Sequence, residues 1–235
     1  MKTLMILFIV TSNAVMAPSN EPTGVWLEEL TTPYYEFVDA GYEVKIASVS
    51  GGDIPVDARS TSEDAMKEES VQRYSKDKAL QAALKGTPSA SDVDASQYAA
   101  VFFPGGHGTM WDYPDNPVLA GIIETTLADN RVVASVCHGP AVLVGVKGAD
   151  GEPLVKGKRI AAFTDSEEEA VGLTDAVPFL LETRLRELGA EIVKVEDFQP
   201  LSVVDGNLVT GQNPASAKPV ASDVIELLEA LEAPK

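Results

Sequence analysis

Short continuous apolar runs recur along this chain, most of them separated by stretches with helical periodicity. The runs fall at residues 4–10, 44–49, 99–103, 132–136, 160–163 and 192–195. Apolar runs without polar alternation are what strands covered on both faces look like. Between them, Leu30, Tyr34, Phe37 and Val38 lie on one face of a helix that starts at Leu27 and ends at Gly41. A second helix is predicted over residues 118–127, opened by Asp115-Asn116-Pro117 as cap and first turn. Others are predicted over 177–188, stopped by Gly189, and over 222–231. The alternation predicts an α/β protein with a mostly parallel central sheet and helices on both faces. Residues 201–204 and 208–209 are expected to pair through the turn Asp205-Gly206-Asn207. At 235 residues, one domain spanning 1–235 is expected. Residues 51–96 break the rhythm, being polar, of mixed charge and helical only in pieces such as 76–84. They read as a surface excursion that either shapes a pocket or merely decorates the fold.

Charge narrows the partners. The chain carries 36 acidic and 18 basic residues, a formal net charge of -18. Such a surface repels phosphate backbones and anionic lipid, so neither nucleic acid nor a membrane is an expected partner. No stretch reaches the roughly 18 apolar residues of a membrane span. Residues 3–10 after Lys2, with small residues at 14–17, have the outline of a secretory signal. The single lysine is a weak positive region and cleavage would remove the first strand, so a buried strand and a cytoplasmic location are expected instead. The one cysteine, Cys137, allows no intrachain disulfide, and two histidines, His107 and His138, are too few for an ordinary zinc site. No metal or cofactor is expected.

Ligands of open α/β sheets sit beyond the carboxyl ends of the strands. Cys137 falls there, on a sharp turn between the run at 132–136 and the helical start at Pro140. That is the position of a nucleophile elbow, where a helix N-terminus favours the thiolate; the competing reading is a buried inert cysteine. Gly105 and Gly106, in Pro104-Gly105-Gly106-His107-Gly108, bend the backbone and leave amides for an oxyanion, or form a plain loop. Glu29 is either a carboxyl that faces the thiol and moves protons or an ordinary acid of a first helical turn. His138 is a candidate general base that needs an orienting acceptor, which Ser166-Glu167-Glu168-Glu169 offers unless that run is a solvated helix start.

Taken together, these residues resemble the ThiJ/PfpI superfamily, related to class I glutamine amidotransferases. The likeness is nearest to its heat-shock chaperone-like branch with cofactor-independent glyoxalase III activity. The likeness is carried by Thr23-Gly24-Val25-Trp26-Leu27-Glu28-Glu29 with Pro33, Asp53-Ile54-Pro55-Val56-Asp57 with Ser60, and Pro104-Gly105-Gly106-His107-Gly108. Val136-Cys137-His138-Gly139-Pro140, Gly157-Lys158-Arg159, residues 164–169 and Thr210-Gly211-Gln212-Asn213-Pro214 complete it. The resemblance implies a flavodoxin-like sandwich, a homodimer, Cys137 as nucleophile, Glu29 as its acid partner and His138 in the third role. Glu169 is assigned to orient His138, with Asp165 and Glu168 as fallback, and Gly105, Gly106 and His107 line the substrate. The implied reaction converts a small 2-oxoaldehyde, methylglyoxal, and water to lactate without glutathione or metal, the activity of a D-lactate dehydratase.

Two other functions are carried beside it. Amidase or peptidase chemistry is disfavoured because no histidine follows His138, where related amidotransferases place theirs. A stress-related holdase chaperone, protein deglycase or redox sensor would need an exposed apolar patch or an oxidisable thiol.

Overall fold

The computed structural model describes residues 4–232. Its strands in chain order are β1 Met5–Val10, β2 Val15–Met16, β3 Glu21–Pro22, β4 Glu43–Ser48 and β5 Ala100–Phe103. They are followed by β6 Val132–Val136, β7 Arg159–Ile160, β8 Glu191–Ile192, β9 Ser202–Asp205 and β10 Leu208–Gly211. Six of them form the central sheet in the order β4-β1-β5-β6-β10-β9. Every pairing in it is parallel except the β9–β10 hairpin. The α/β architecture with a mostly parallel sheet is therefore as the apolar runs require.

Side-chain alternation divides the core into two. Leu7, Ile9, Val101, Phe103 and Val133 face one layer, where Leu119, Ile123, Leu181 and Leu185 cover them. Ile6, Phe8, Ala100, Phe102, Val132 and Ala134 face the other, under Leu30 and Phe37 and under Val220, Val224 and Leu228. The period-two pattern of a strand is thus matched on each face by a helical stripe. Phe8, Phe37 and Phe102 meet in stacked and edge-on contacts at the centre of the second layer. The covering helices run Leu27–Asp39, Pro117–Ala128 and Ala217–Glu232, with a shorter Leu181–Glu187. Asn116 caps the second of these, its side-chain oxygen accepting from the amides of Val118 and Leu119.

Several expectations need correction. The runs at 160–163 and 192–195 do not join the main sheet; β7 and β8 form a separate two-stranded parallel pair. Ala161, Ala162 and Phe163 are buried for another reason, leading the chain past the end of β6 to the site. The helix expected from 177 starts only at Leu181. The stretch expected as one helix over 76–84 is split between Glu69–Lys76 and Lys78–Ala83, with Asp77 capping the second. Lys2 and Thr3 lie outside the described residues.

Candidate active site

Cys137 stands at the C-terminal end of β6 with φ of 62°, in the left-handed region that side chains other than glycine seldom adopt. The chain on both sides fixes it there. Its amide donates to the carbonyl of Gly211 at 2.9 Å, and its carbonyl accepts from Phe163 at 2.9 Å. The elbow continues into the helical start expected at Pro140, which is a five-residue 3₁₀ helix, Gly139–Leu143. With so short a dipole, burial dominates: desolvation first, then the facing carboxyl of Glu29, pushes the Cys137 thiol well above its ordinary value. The expected resting thiolate is thereby reversed, although the His138 amide hydrogen-bonds the sulfur and opposes the shift.

Glu29 reaches this sulfur from the first turn of the helix Leu27–Asp39 and is fully buried. Its Oε2 accepts the Gly105 amide at 2.9 Å, while Oε1 makes no hydrogen bond of good geometry. Burial raises its carboxyl well above the ordinary range, and interaction with Cys137 offsets only part of the rise. The acid and the thiol thus both resist ionisation, and each favours its protonated form. Gly105 must be glycine here, because a Cβ would come 2.5 Å from Glu29 Oε2 and from the Val136 carbonyl. Its amide is committed to Glu29, so of the two glycines expected to offer amides to an oxyanion only Gly106 has one available. The Gly106 amide donates to no other group among the described residues, and Gly106 lines the same cavity as Cys137.

His138 Nδ1 lies 3.4 Å from Cys137 Sγ. Its other nitrogen, Nε2, lies 2.6 Å from Glu168 Oε2. The orienting acid is therefore Glu168, the fallback, and not Glu169. Successive residues of the helix Asp165–Ala170 point about 100° apart. Glu168 consequently turns into the site, while Glu169 is exposed and lines a separate surface depression with Asp165 and Lys194. Three adjacent glutamates give no periodicity from which the inward one could be read.

His107 was expected to line the substrate. It borders the cavity, but its Nε2 is 2.7 Å from Glu168 Oε1, so one carboxylate holds both histidines of the chain. Desolvation of the buried carboxylate would raise its pKa, yet the two imidazoles override this and hold Glu168 well below its ordinary range. His107 is driven down to about 4 by burial and then by neighbouring His138, so it is neutral at pH 7. These three side chains also have the composition of a metal-ligand set. Glu168 already holds one nitrogen of each histidine, so a cation bound through those nitrogens would displace both hydrogen bonds.

The cavity has a volume of about 210 Å³. Trp26, Phe163, Val171, Phe198 and Pro214 give it apolar walls around Cys137, Glu29 and His138. Arg59 is the one Lys or Arg lining it among the described residues, brought in by the excursion at 51–96. Sequence reasoning missed it; the only available signal was its place two residues after the Asp53–Asp57 motif.

The sequence profile of the DJ-1/PfpI family matches residues 22–227. Among curated proteins, the chain is 34% identical over 231 residues to glyoxalase 3 of Candida albicans, covering 95% of this chain and 98% of that protein. It is 32% identical over 231 residues to the glutathione-independent glyoxalase HSP31 of Saccharomyces cerevisiae, covering 95% and 97%. The crystal structure of glyoxalase III from Candida albicans matches with a TM-score of 0.88 at 34% identity, over 95% of this chain and 97% of that one.

Proposed function

The chain belongs to the DJ-1/PfpI family, and on that premise we propose that it is a glutathione-independent glyoxalase that turns methylglyoxal and water into lactate. The observation that carries this reading is the convergence on one sulfur of two proton carriers, a buried raised carboxyl and an oriented imidazole. Amide hydrolysis can run with one histidine acting as base and then as acid; moving a hydrogen between adjacent carbons also requires proton exchange at the neighbouring oxygens, for which Glu29 is a second proton carrier.

In the proposed cycle, Cys137 gives its proton to His138 Nδ1 and its sulfur adds to the aldehyde carbon, forming a hemithioacetal. The Gly106 amide, which has no other acceptor among the described residues, is the donor available to the oxygen where charge develops. His138 returns the thiol proton to the oxygen of the adduct, and its freed Nδ1 then takes the hydrogen from the former aldehyde carbon while Glu29 protonates the ketone oxygen, giving an enediol. Glu29 next takes the proton of the other hydroxyl as His138 delivers its proton to the former ketone carbon. The product of that shift is a lactoyl thioester. Water cleaves it, releasing lactate and restoring the thiol, so one methylglyoxal and one water leave as one lactate. The finer assignments follow the same reading: a lyase of D-lactate dehydratase type, cytoplasmic, acting as a homodimer.

The test is lactate formation from methylglyoxal with neither thiol nor metal added. Turnover by the native chain that Cys137→Ala abolishes and Glu29→Gln lowers by about 100-fold or more is expected. Absence of turnover by native protein with a reduced thiol, or normal turnover by Cys137→Ala, would overturn the assignment.

A further inference from the structure

The histidine pair is held from its far side by a group outside the Cys137–His138–Glu168 chain. Arg59 Nη2 lies 3.2 Å from His107 Nδ1. A guanidinium can only donate, so His107 Nδ1 must be the acceptor and its proton must sit on Nε2, directed at Glu168 Oε1. Arg59 is itself fixed in place. Its Nε donates to Asp57 Oδ1 at 2.9 Å and its Nη2 to Asp57 Oδ2 at 2.6 Å, a two-point grip. Asp57 is buried, and it is pinned by the Thr23 hydroxyl at 2.9 Å and through its own amide to the Val25 carbonyl at 3.0 Å.

Orientation propagates along this chain. With His107 donating to one oxygen of Glu168, the other oxygen is left to accept from His138 Nε2. That proton placement leaves the lone pair of His138 Nδ1 facing Cys137 Sγ, as a base must. Were His107 to take the other tautomer, its Nδ1–H would oppose the Arg59 donor and its Nε2 would present a lone pair to the Glu168 carboxylate. Both contacts would then be repulsive.

We propose that Arg59 and His107 are positioning residues: Arg59, braced by Asp57, selects the His107 tautomer that holds Glu168, and so keeps His138 Nδ1 unprotonated toward Cys137. This rests on the proposed role of the Cys137 site but concerns proton placement, which is measurable without substrate. It also gives the excursion at 51–96 a function, since that segment delivers the brace.

Because the chain has two histidines, long-range ¹H–¹⁵N correlation of imidazole nitrogens at neutral pH reads each tautomer directly. In the native protein both rings should be protonated on Nε2 alone. Arg59→Met should leave His107 as a mixture of tautomers and lower kcat by about tenfold or more, with KM changed little; Arg59→Lys, which keeps a donor, should recover part of both. Three outcomes would overturn the proposal. These are an Nδ1-protonated His107 in the native protein, an unchanged His107 spectrum in a folded Arg59→Met, and a rise in KM with kcat and tautomer unchanged. The last would assign Arg59 to holding substrate instead. Native protein with the expected tautomers but no turnover would count against the glyoxalase reading alone.

Discussion

At the residue scale, Glu29 trades stability for chemistry. A carboxyl whose folded-state pKa lies above its unfolded value stabilises the fold fully only below the unfolded value, and loses that contribution as pH rises toward the folded one. Above the ordinary carboxylate range the native state must therefore either hold a proton or bury a charge. Glutamine keeps the shape and the acceptor for Gly105 without that demand. Glu29→Gln is expected to raise stability as it destroys activity, and to do so more at pH 8 than at pH 5. The gain should grow by up to about 1.4 kcal/mol per pH unit within the window between the two pKa values. Urea denaturation of both proteins across that range checks it; a gain that does not depend on pH would refute the account.

At the scale of elements, the short helix Asp165–Ala170 is a two-sided clamp. Glu168 grips the histidines, and Glu167, one residue earlier, grips the opposite wall of the cavity. Glu167 Oε1 accepts from the Phe198 amide at 2.7 Å and from Asn213 Nδ2 at 2.8 Å. Its Oε2 takes the amide of Thr164, whose hydroxyl in turn accepts from the Glu167 amide, closing a capping box. Phe198 needs this hold, because it sits at φ of 60° with an aromatic side chain. Glu167→Ala would remove the acceptor of the buried Thr164 amide and of the half-buried Phe198 amide, and one of the two acceptors of Asn213 Nδ2, which keeps the Gln199 carbonyl. We expect a loss of about 3 kcal/mol or more in unfolding free energy. Release of Phe198 should also raise KM for methylglyoxal. A variant with native stability and KM would show that Phe198 is held by its packing on Phe163 alone.

At the scale of the whole molecule, a net charge of -18 works against compaction. The recorded surface ion pairs, such as Lys67–Asp64 and Lys156–Glu152, are exposed and relieve little of it. Raising ionic strength from about 0.05 M to about 0.5 M shortens the screening length roughly threefold and weakens repulsion between exposed carboxylates. The urea midpoint should therefore rise with added sodium chloride, and a fall would mean that specific ion pairs outweigh the self-repulsion. The same negative envelope surrounds a cavity whose proposed substrate, methylglyoxal, is neutral, so turnover should respond to salt far less than stability does.

The apolar runs at residues 4–10, 99–103 and 132–136 determined the centre of the sheet, because a segment apolar on both faces has few other places to go. Cys137 was legible for a similar local reason, lying between a strand and a Gly-Pro helix start. Glu29 was legible through its distance from Pro33 within a recognisable motif. What the sequence did not determine were the contacts between segments far apart in the chain. Which of Glu167, Glu168 and Glu169 meets His138 depends on the rotation of one short helix, set by Thr164 at its cap and by the partners of Glu167. The Arg59–His107 contact joins residues 48 positions apart, and the polar segment that carries Arg59 has no periodicity to announce it. The sign of the Cys137 shift was also decided by tertiary structure. A helix start favours a thiolate locally, but complete burial beside a second acidic group outweighs it, and burial exists only once the chain has folded.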